Sequence, residues 1–263
     1  MSEAAHLTLT DLGDGIACLT LNRPDSLNAL ADSTVDEILA TLDRVAASDA
    51  KVLIVTGAGR GFCSGFDLSL ADAAPGADRS ETEAWMARQE KFASLVTRFR
   101  AIPQPTIAAV NGAAAGGGLA LALACDTRIG STKARFNCAF IKIGMSSCDI
   151  GTSYLLPRAI GTTRAFEMML TGRMVEADEA ERIGLVMRLV APEGLLTAAT
   201  DLARSIAENG RLGTWMTKRG MWANLETGSL AAAIELENRT QILIRGTGSL
   251  EEMAIKRGFM KKP

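Results

Sequence analysis

The 263-residue sequence has one histidine, one tyrosine and only 5% aromatic residues. The histidine, His6, stands ahead of the first strand-like run. A Ser-His-Asp or Cys-His nucleophile needs an imidazole held against it, and a His-rich zinc site needs several, so neither chemistry nor a bound metal is expected. Acid–base work would fall to carboxylate, lysine, tyrosine, cysteine or backbone groups. Cysteine is sparse as well. Cys18, Cys63, Cys125, Cys138 and Cys148 are scattered, odd in number and without a CxxC pair, which reads as reduced thiols in a cytoplasmic protein. Charge of one sign is missing too: a net charge of −2 offers no footprint for nucleic acid, and no polybasic run suggests a membrane surface. Apolar stretches are broken before they reach a bilayer-spanning length, and MSEAAHLTLT has neither the basic nor the apolar part of a secretory signal. What the sequence has is a 48% hydrophobic content, ample for one core with an appended helical part.

Along the chain, "IACLTL" (16–21) reads as a strand broken by Pro24 and Asp25. Thr34–Glu37 offers a capping box before Val35, Ile38, Leu39, Leu42 and Val45 at helical spacing. "KVLIVTG" (51–57) and "TIAAV" (106–110) are short β-branched runs suited to strands buried on both faces. Residues 69–82 read as a mobile loop, and a helix is expected over about 83–100, anchored by Trp85, Phe92, Leu95, Val96 and Phe99. "DTRIGS" (126–131) reads as a strand, "GTSYLLPRAIG" and "TRAFEMMLTG" as helices, "VEADEAERIGLVMRLV" as helix, turn at Gly184 and strand, and the segment from Pro192 on as mostly helical. Alternating strands and helices followed by helices alone imply an α/β fold with parallel pairing.

Two glycine-rich loops each follow a buried strand: "GAGRGFCSGFDL" after the first, "NGAAAGGGLAL" after the second. The glycines at 57, 59 and 61 are spaced G-x-G-x-G rather than G-x-G-x-x-G, and Tyr154 is followed four residues on by Arg158 rather than Lys. A nicotinamide cofactor is therefore set aside. Neighbouring parallel strands deliver their C-terminal loops to one edge, where α/β proteins bind ligands. Glycine lets backbone N–H groups approach a ligand, and the start of a helix leaves such groups unpaired. Two N–H groups from two loops make an oxyanion hole. The plainer reading is that the glycines only allow close helix–sheet packing.

"LNRPDSLNAL", "GAGRGFCSGFDL", "IPQPTIAAVNGAAAGGGLALALACDTRI", "IGTSYLLPRAIG" and "LTGRMVEADEAERIGLVMRLV" together resemble the enoyl-CoA hydratase/isomerase (crotonase) family, along almost the whole chain. The resemblance implies a crotonase-type ββα spiral core over residues 1–200 and a C-terminal helical trimerisation region over 201–263. It implies an acyl-CoA substrate, no further cofactor, and a homotrimer or dimer of trimers. It places an oxyanion hole at the N–H groups of Phe66 and Gly117, beside Gly116. It places substrate contacts at Arg23, Ser26, Asn28, Ala29 and the segment Phe66, Asp67, Leu68 and Ser69, with Asp67 and Arg60 shaping that loop. Asp126 and Arg128 are expected to form an internal ion pair.

The sequence departs from the family at its acids. The two hydratase glutamates fall on Ala120 and Phe140, and neither side chain can move a proton. Asp149 is the carboxylate that remains nearby. It has two compatible readings: the base of a double-bond isomerisation, or a cap for the helix that starts near Thr152. Cys138 and Cys148 read as apolar fillers, Ser146 and Ser147 as candidates to bind water or thioester oxygen, and Met168, Met169 and Met174 as core or acyl pocket. Trp215 and Trp222 share a helix face and are expected between subunits, whereas Lys256, Lys261 and Lys262 read as a solvated tail before a reach to the CoA phosphates of a neighbouring subunit. A non-catalytic acyl-CoA-binding homologue is the alternative that loss of both glutamates supports and Asp149 opposes.

Overall fold

The computed structural model describes residues 6–70 and 80–261. Its centre is a six-stranded sheet in the order β1-β2-β3-β5-β7-β10. The strands are β1 (Leu7–Asp11), β2 (Ile16–Leu21), β3 (Val52–Gly57), β5 (Thr106–Val110), β7 (Thr127–Ser131) and β10 (Leu189–Val190). Within this sheet, among the described residues, only β1 pairs antiparallel, through the register Leu7↔Leu21; β2, β3, β5, β7 and β10 run parallel. The strand β1 is an addition to the sequence reading. Its signal is weak because Leu7 alone of its five residues is buried.

Side-chain alternation divides the core into two layers, as the period of two along a strand requires. Ile16, Cys18, Val52, Ile54, Ile107, Ala109 and Ile129 face Leu195, Ala199, Ala203 and Ala207 of α7 (Leu195–Ala207). Leu19, Leu21, Leu53, Val55, Ala108 and Val110 face the larger layer that includes α1 (Asp32–Ala47), α2 (Glu81–Ala101) and α3 (Gly117–Ala124). Burying a Leu or Val stabilises by about 1.5–3 kcal/mol each relative to exposure, so strands covered on both faces carry near-continuous apolar runs. A second sheet, β4 (Gly61–Cys63), β6 (Ala113–Ala115), β8 (Arg135–Asn137) and β9 (Val175–Glu176), lies beyond the ends of β3 and β5.

Helices α4 (Thr152–Ile160), α5 (Thr162–Thr171) and α6 (Ala177–Arg182) follow, then α7, α8 (Arg211–Asn224), α9 (Leu230–Arg245) and α10 (Ser249–Lys256). Residue 200 falls inside α7, which stays with the sheet. The expected capping box at Thr34–Glu37 is absent: α1 begins at Asp32 and has no side-chain cap. Thr34 therefore lies inside the first turn and not at the N-cap, and the His6 N–H donates to Glu37 Oε2 at 3.2 Å while its Nδ1 lies 3.4 Å from the Thr34 hydroxyl. A capping box does form at α2. Ser80 Oγ accepts from the Glu83 N–H and Glu83 Oε2 from the Ser80 N–H, starting the helix two residues before the expected position. Most of the 69–82 loop, residues 71–79, lies outside the described residues.

Candidate active site

The chain leaving β3 passes through β4 and reaches Gly65 and Phe66, where Phe66 bridges Leu30 in parallel. The Leu30 N–H donates to the Gly65 carbonyl at 2.7 Å, and the Asp67 N–H donates to the Leu30 carbonyl at 3.1 Å. Successive amides of an extended chain point to opposite sides, so the Phe66 N–H faces away from Leu30. On that other side lies the start of α3: a Cβ placed on Gly65 would sit 2.7 Å from the Ala115 oxygen and 3.0 Å from the Gly117 nitrogen. The Gly117 N–H is the first of its helix and has no acceptor behind it. Neither amide donates to another described residue.

The three consecutive glycines have different jobs. Gly116, at φ 51 and ψ −116, turns the chain from β6 into α3 through a conformation that L side chains rarely adopt. Gly117 begins the helix. Gly118 packs so tightly that a Cβ there would lie 2.0 Å from the Cys63 oxygen. Close packing and an unpaired amide are therefore built from the same tripeptide.

Beside these amides is a cavity of about 160 Å³, lined by Phe66, Gly117, Phe140 and Asp149 among others. Ala120 is fully buried inside α3, and Phe140 supplies an aromatic wall. The candidate carboxylate therefore shares a pocket with both candidate amides, while Ala120 and Phe140, the positions expected from the resemblance to match its glutamates, are apolar.

Asp149 does not cap α4. The position before that helix is Gly151, with no side-chain cap, and it is the Asp149 main-chain carbonyl that accepts from the Thr152 N–H, at 2.8 Å. The carboxylate accepts instead from the Ile150 N–H at 2.8 Å and from the Gln89 amide. Trp85, Arg88, Gln89 and Phe92 all line the pocket from α2. Trp85 and Phe92 were legible only as core anchors. The spacing i, i+3, i+4, i+7 marks one helix face, but not which cavity that face meets. Arg88 is buried among the rings of Phe66, Trp85 and Phe92, with its guanidinium 2.5 Å from Asp32.

The expected substrate loop is tightly braced. Arg23 donates to Asp67 at 2.9 Å and to the Ala29 carbonyl at 2.6 Å. Asn28, buried and at φ 58, spends its amide on the Ala58 and Gly61 carbonyls, so its side chain faces the loop interior. The Ser26 hydroxyl donates to the Arg23 carbonyl, Ala29 is buried and Leu68 is exposed. The Ser69 hydroxyl, 2.6 Å away, and then the Arg23 guanidinium hold the Asp67 carboxyl below the usual range.

One expected ion pair is corrected. Asp126 and Arg128 do not pair. Asp126 accepts from the Thr106 N–H and hydroxyl, from Trp222 Nε1 at 2.7 Å and from Lys218 at 3.1 Å. Arg128 turns to the carbonyls of Leu185 and Cys125, and burial lowers its pKa. Trp222 thus packs within its own chain, with Arg100 over its ring at 4.1 Å. Ser147 donates to the Met169 carbonyl, and Ser146 accepts from the Cys148 N–H. Met168 is core, whereas Met174 is exposed. Cys138 is buried, with its thiol pushed up to about 12, and Cys148 is exposed. A larger hollow of about 640 Å³ opens beside α8 and α9, but the charges at its floor, Asp126 and Lys218, are already paired with each other.

A model of the enoyl-CoA hydratase/isomerase family matches residues 11–255. A "probable enoyl-CoA hydratase" of Mycobacterium bovis is 43% identical over 251 residues, covering 94% of this chain and 88% of the relative. A solved "probable enoyl-CoA hydratase/isomerase" from Mycobacterium abscessus superimposes with a TM-score of 0.88 at 39% identity, over 97% of this chain and 96% of that one. A "monofunctional enoyl CoA isomerase" from M. smegmatis gives 0.75 at 40% identity, over 88% of this chain and 99% of that one. The architecture is that of a crotonase-type α/β enzyme acting on acyl-CoA, of the lyase or isomerase kind. The chain belongs to the enoyl-CoA hydratase/isomerase family. Among the described residues no helix is long and apolar enough to cross a membrane.

Proposed function

We propose that the protein shifts the double bond of an enoyl-CoA thioester, with Asp149 as the base and the Phe66 and Gly117 amides as the oxyanion hole. The observation that carries this reading is the meeting of one carboxylate and two unpaired amides in one pocket whose lining, among the described residues, has no glutamate. A 3-enoyl thioester places its carbonyl oxygen between the two N–H groups. The Asp149 carboxylate takes a proton from the α carbon, and the C–H pair moves in to form a dienolate with its charge on the thioester oxygen. The protonated carboxyl then returns the proton to the γ carbon, leaving a 2-enoyl thioester. The proton count closes, so the step calls on no cofactor beyond the thioester itself. Fixed donors aimed at the developing charge are worth about 10²–10³ in kcat each. The M. smegmatis neighbour described as a monofunctional isomerase favours the same assignment.

Substrate contacts are assigned to Phe66, Leu68, Gly116, Gly117 and Phe140, with Arg23, Ser26, Asn28, Ala29 and Asp67 holding the CoA-side loop in shape. Assembly is assigned to residues 201–263 as a trimer or a dimer of trimers; α9 buries no residue and exposes Leu230, Ile242 and Leu243. A monomer by light scattering would refute that part.

The test is a panel of 2-enoyl and 3-enoyl thioesters with product analysis by mass spectrometry. Wild type should interconvert the two, and Asp149→Asn should lose at least about 10²-fold in kcat. Hydration at full rate in Asp149→Asn would sink the mechanism. Tight thioester binding without turnover of any substrate would instead favour the binding-protein alternative.

A further inference from the structure

The two oxygens of the Asp149 carboxylate have unequal surroundings. Oδ1 accepts from the Ile150 N–H at 2.8 Å and from the Gln89 side-chain amide. Oδ2 has no hydrogen-bond partner among the described residues. A carboxylate only accepts, so the Gln89 group facing it is the NH₂ donor. The Ile150 donor is local, and it comes from a backbone held at φ 33, a left-handed value that a β-branched residue rarely adopts. The Gln89 donor comes from a different element, α2, sixty residues away in sequence.

We propose that Gln89 is a positioning residue: it ties Oδ1 so that Oδ2 alone carries the proton between the two substrate carbons. The inference rests on Asp149 being the base and adds which of its oxygens works and what holds it. Rotation about the Cβ–Cγ bond of an aspartate is soft and roughly two-fold. One local donor leaves that torsion loosely held, whereas a second donor from another element sets it. The proton must leave the α carbon and return to the γ carbon, with one carbon between them, so the working oxygen has to reach both from one place. A misplacement of about 1 Å can cost on the order of 10²-fold in rate. Gln89 is otherwise exposed, so exchanging it hollows out no core.

Gln89→Met keeps the length and removes the donor. Measured on the full-length protein with a 3-enoyl thioester, it should lower kcat by about tenfold or more while KM changes by less than about threefold. The deciding measurement is a double-mutant cycle. If Gln89 acts through Asp149, then Gln89→Met combined with Asp149→Asn should be no slower than Asp149→Asn alone. Two losses that multiply, a kcat of Gln89→Met within about threefold of wild type, or a change in KM alone, would each overturn the proposal. Full activity of Asp149→Asn would instead remove the base on which it rests, so the two failures are distinguishable. A melting curve for Gln89→Met matching wild type assigns the loss to the site rather than to α2.

Discussion

Substituting Gly65 by alanine tests whether the two amides work as a pair. Gly65 stands at φ +92, where an L side chain costs roughly 1–2 kcal/mol. The added methyl would lie 2.7 Å from the Ala115 oxygen and 3.0 Å from the Gly117 nitrogen, both backbone atoms that cannot swing aside. Relieving such a contact means moving the Phe66 strand away from the start of α3, an overpacking strain of about 1–3 kcal/mol. The stability loss should therefore be roughly 2–5 kcal/mol. The kinetic loss should be larger than that shift implies, because the displaced atoms are the two proposed donors. About 10²-fold or more in kcat is expected, per mole of folded protein counted by thioester binding. Gly161→Ala is the control. Its φ of +82 and ψ of 155 are close to glycine-only, but nothing lies within 4 Å of the new methyl, so it should cost about 1–3 kcal/mol in urea unfolding and leave kcat unchanged. Urea unfolding and steady-state kinetics on the same preparations separate the two quantities. A folded Gly65→Ala enzyme with wild-type kcat would refute the paired-amide reading.

Two further perturbations probe the scaffold. Lys218 donates to the Phe99 and Gln104 carbonyls at 2.8 and 2.9 Å and pairs with Asp126 at 3.1 Å, and burial lowers its pKa while Asp126 pulls it back up. Lys218→Met strands these acceptors and should cost about 3–5 kcal/mol in urea unfolding. Adding Asp126→Asn should recover part of that loss; no measurable cost from Lys218→Met would contradict the pairing. The second perturbation is pH. The folded Asp67 carboxyl titrates below its unfolded value because Ser69 and Arg23 stabilise the ionised form. Its contribution to stability is therefore complete above the unfolded value and is lost as pH falls through the folded one. Between neutral pH and about pH 3, Asp67→Asn should flatten part of the decline in urea midpoint, and an unchanged slope would deny Asp67 its role.

The elements that could be read from sequence were those set by local pattern. β2, β3 and β5 are short apolar runs bounded by breakers, and α4, α5 and the C-terminal helices follow helical spacing. The edge strand β1 escaped because its exposed face carries no alternation of burial, and the capping box was misplaced because α1 begins at Asp32 and puts Thr34 inside its first turn. Pairings were harder still: Asp126 and Arg128 are near neighbours, yet Asp126 finds Lys218 and Trp222 on α8.

Sequence by itself determined the family, the two glycine loops on parallel strands, and the apolar residues Ala120 and Phe140 where the family resemblance would put its two glutamates. Those are matters of residue identity and order. Tertiary structure decided what the identities do. It turned the Asp149 side chain into the pocket rather than onto the α4 terminus, and it gave Gly116, Gly117 and Gly118 separate tasks. It also brought one face of α2 to the same cavity, with Gln89 against the carboxylate. The reason is physical. A side chain's donors and acceptors are a property of the residue, but which of them meet is set by packing between elements far apart in the chain.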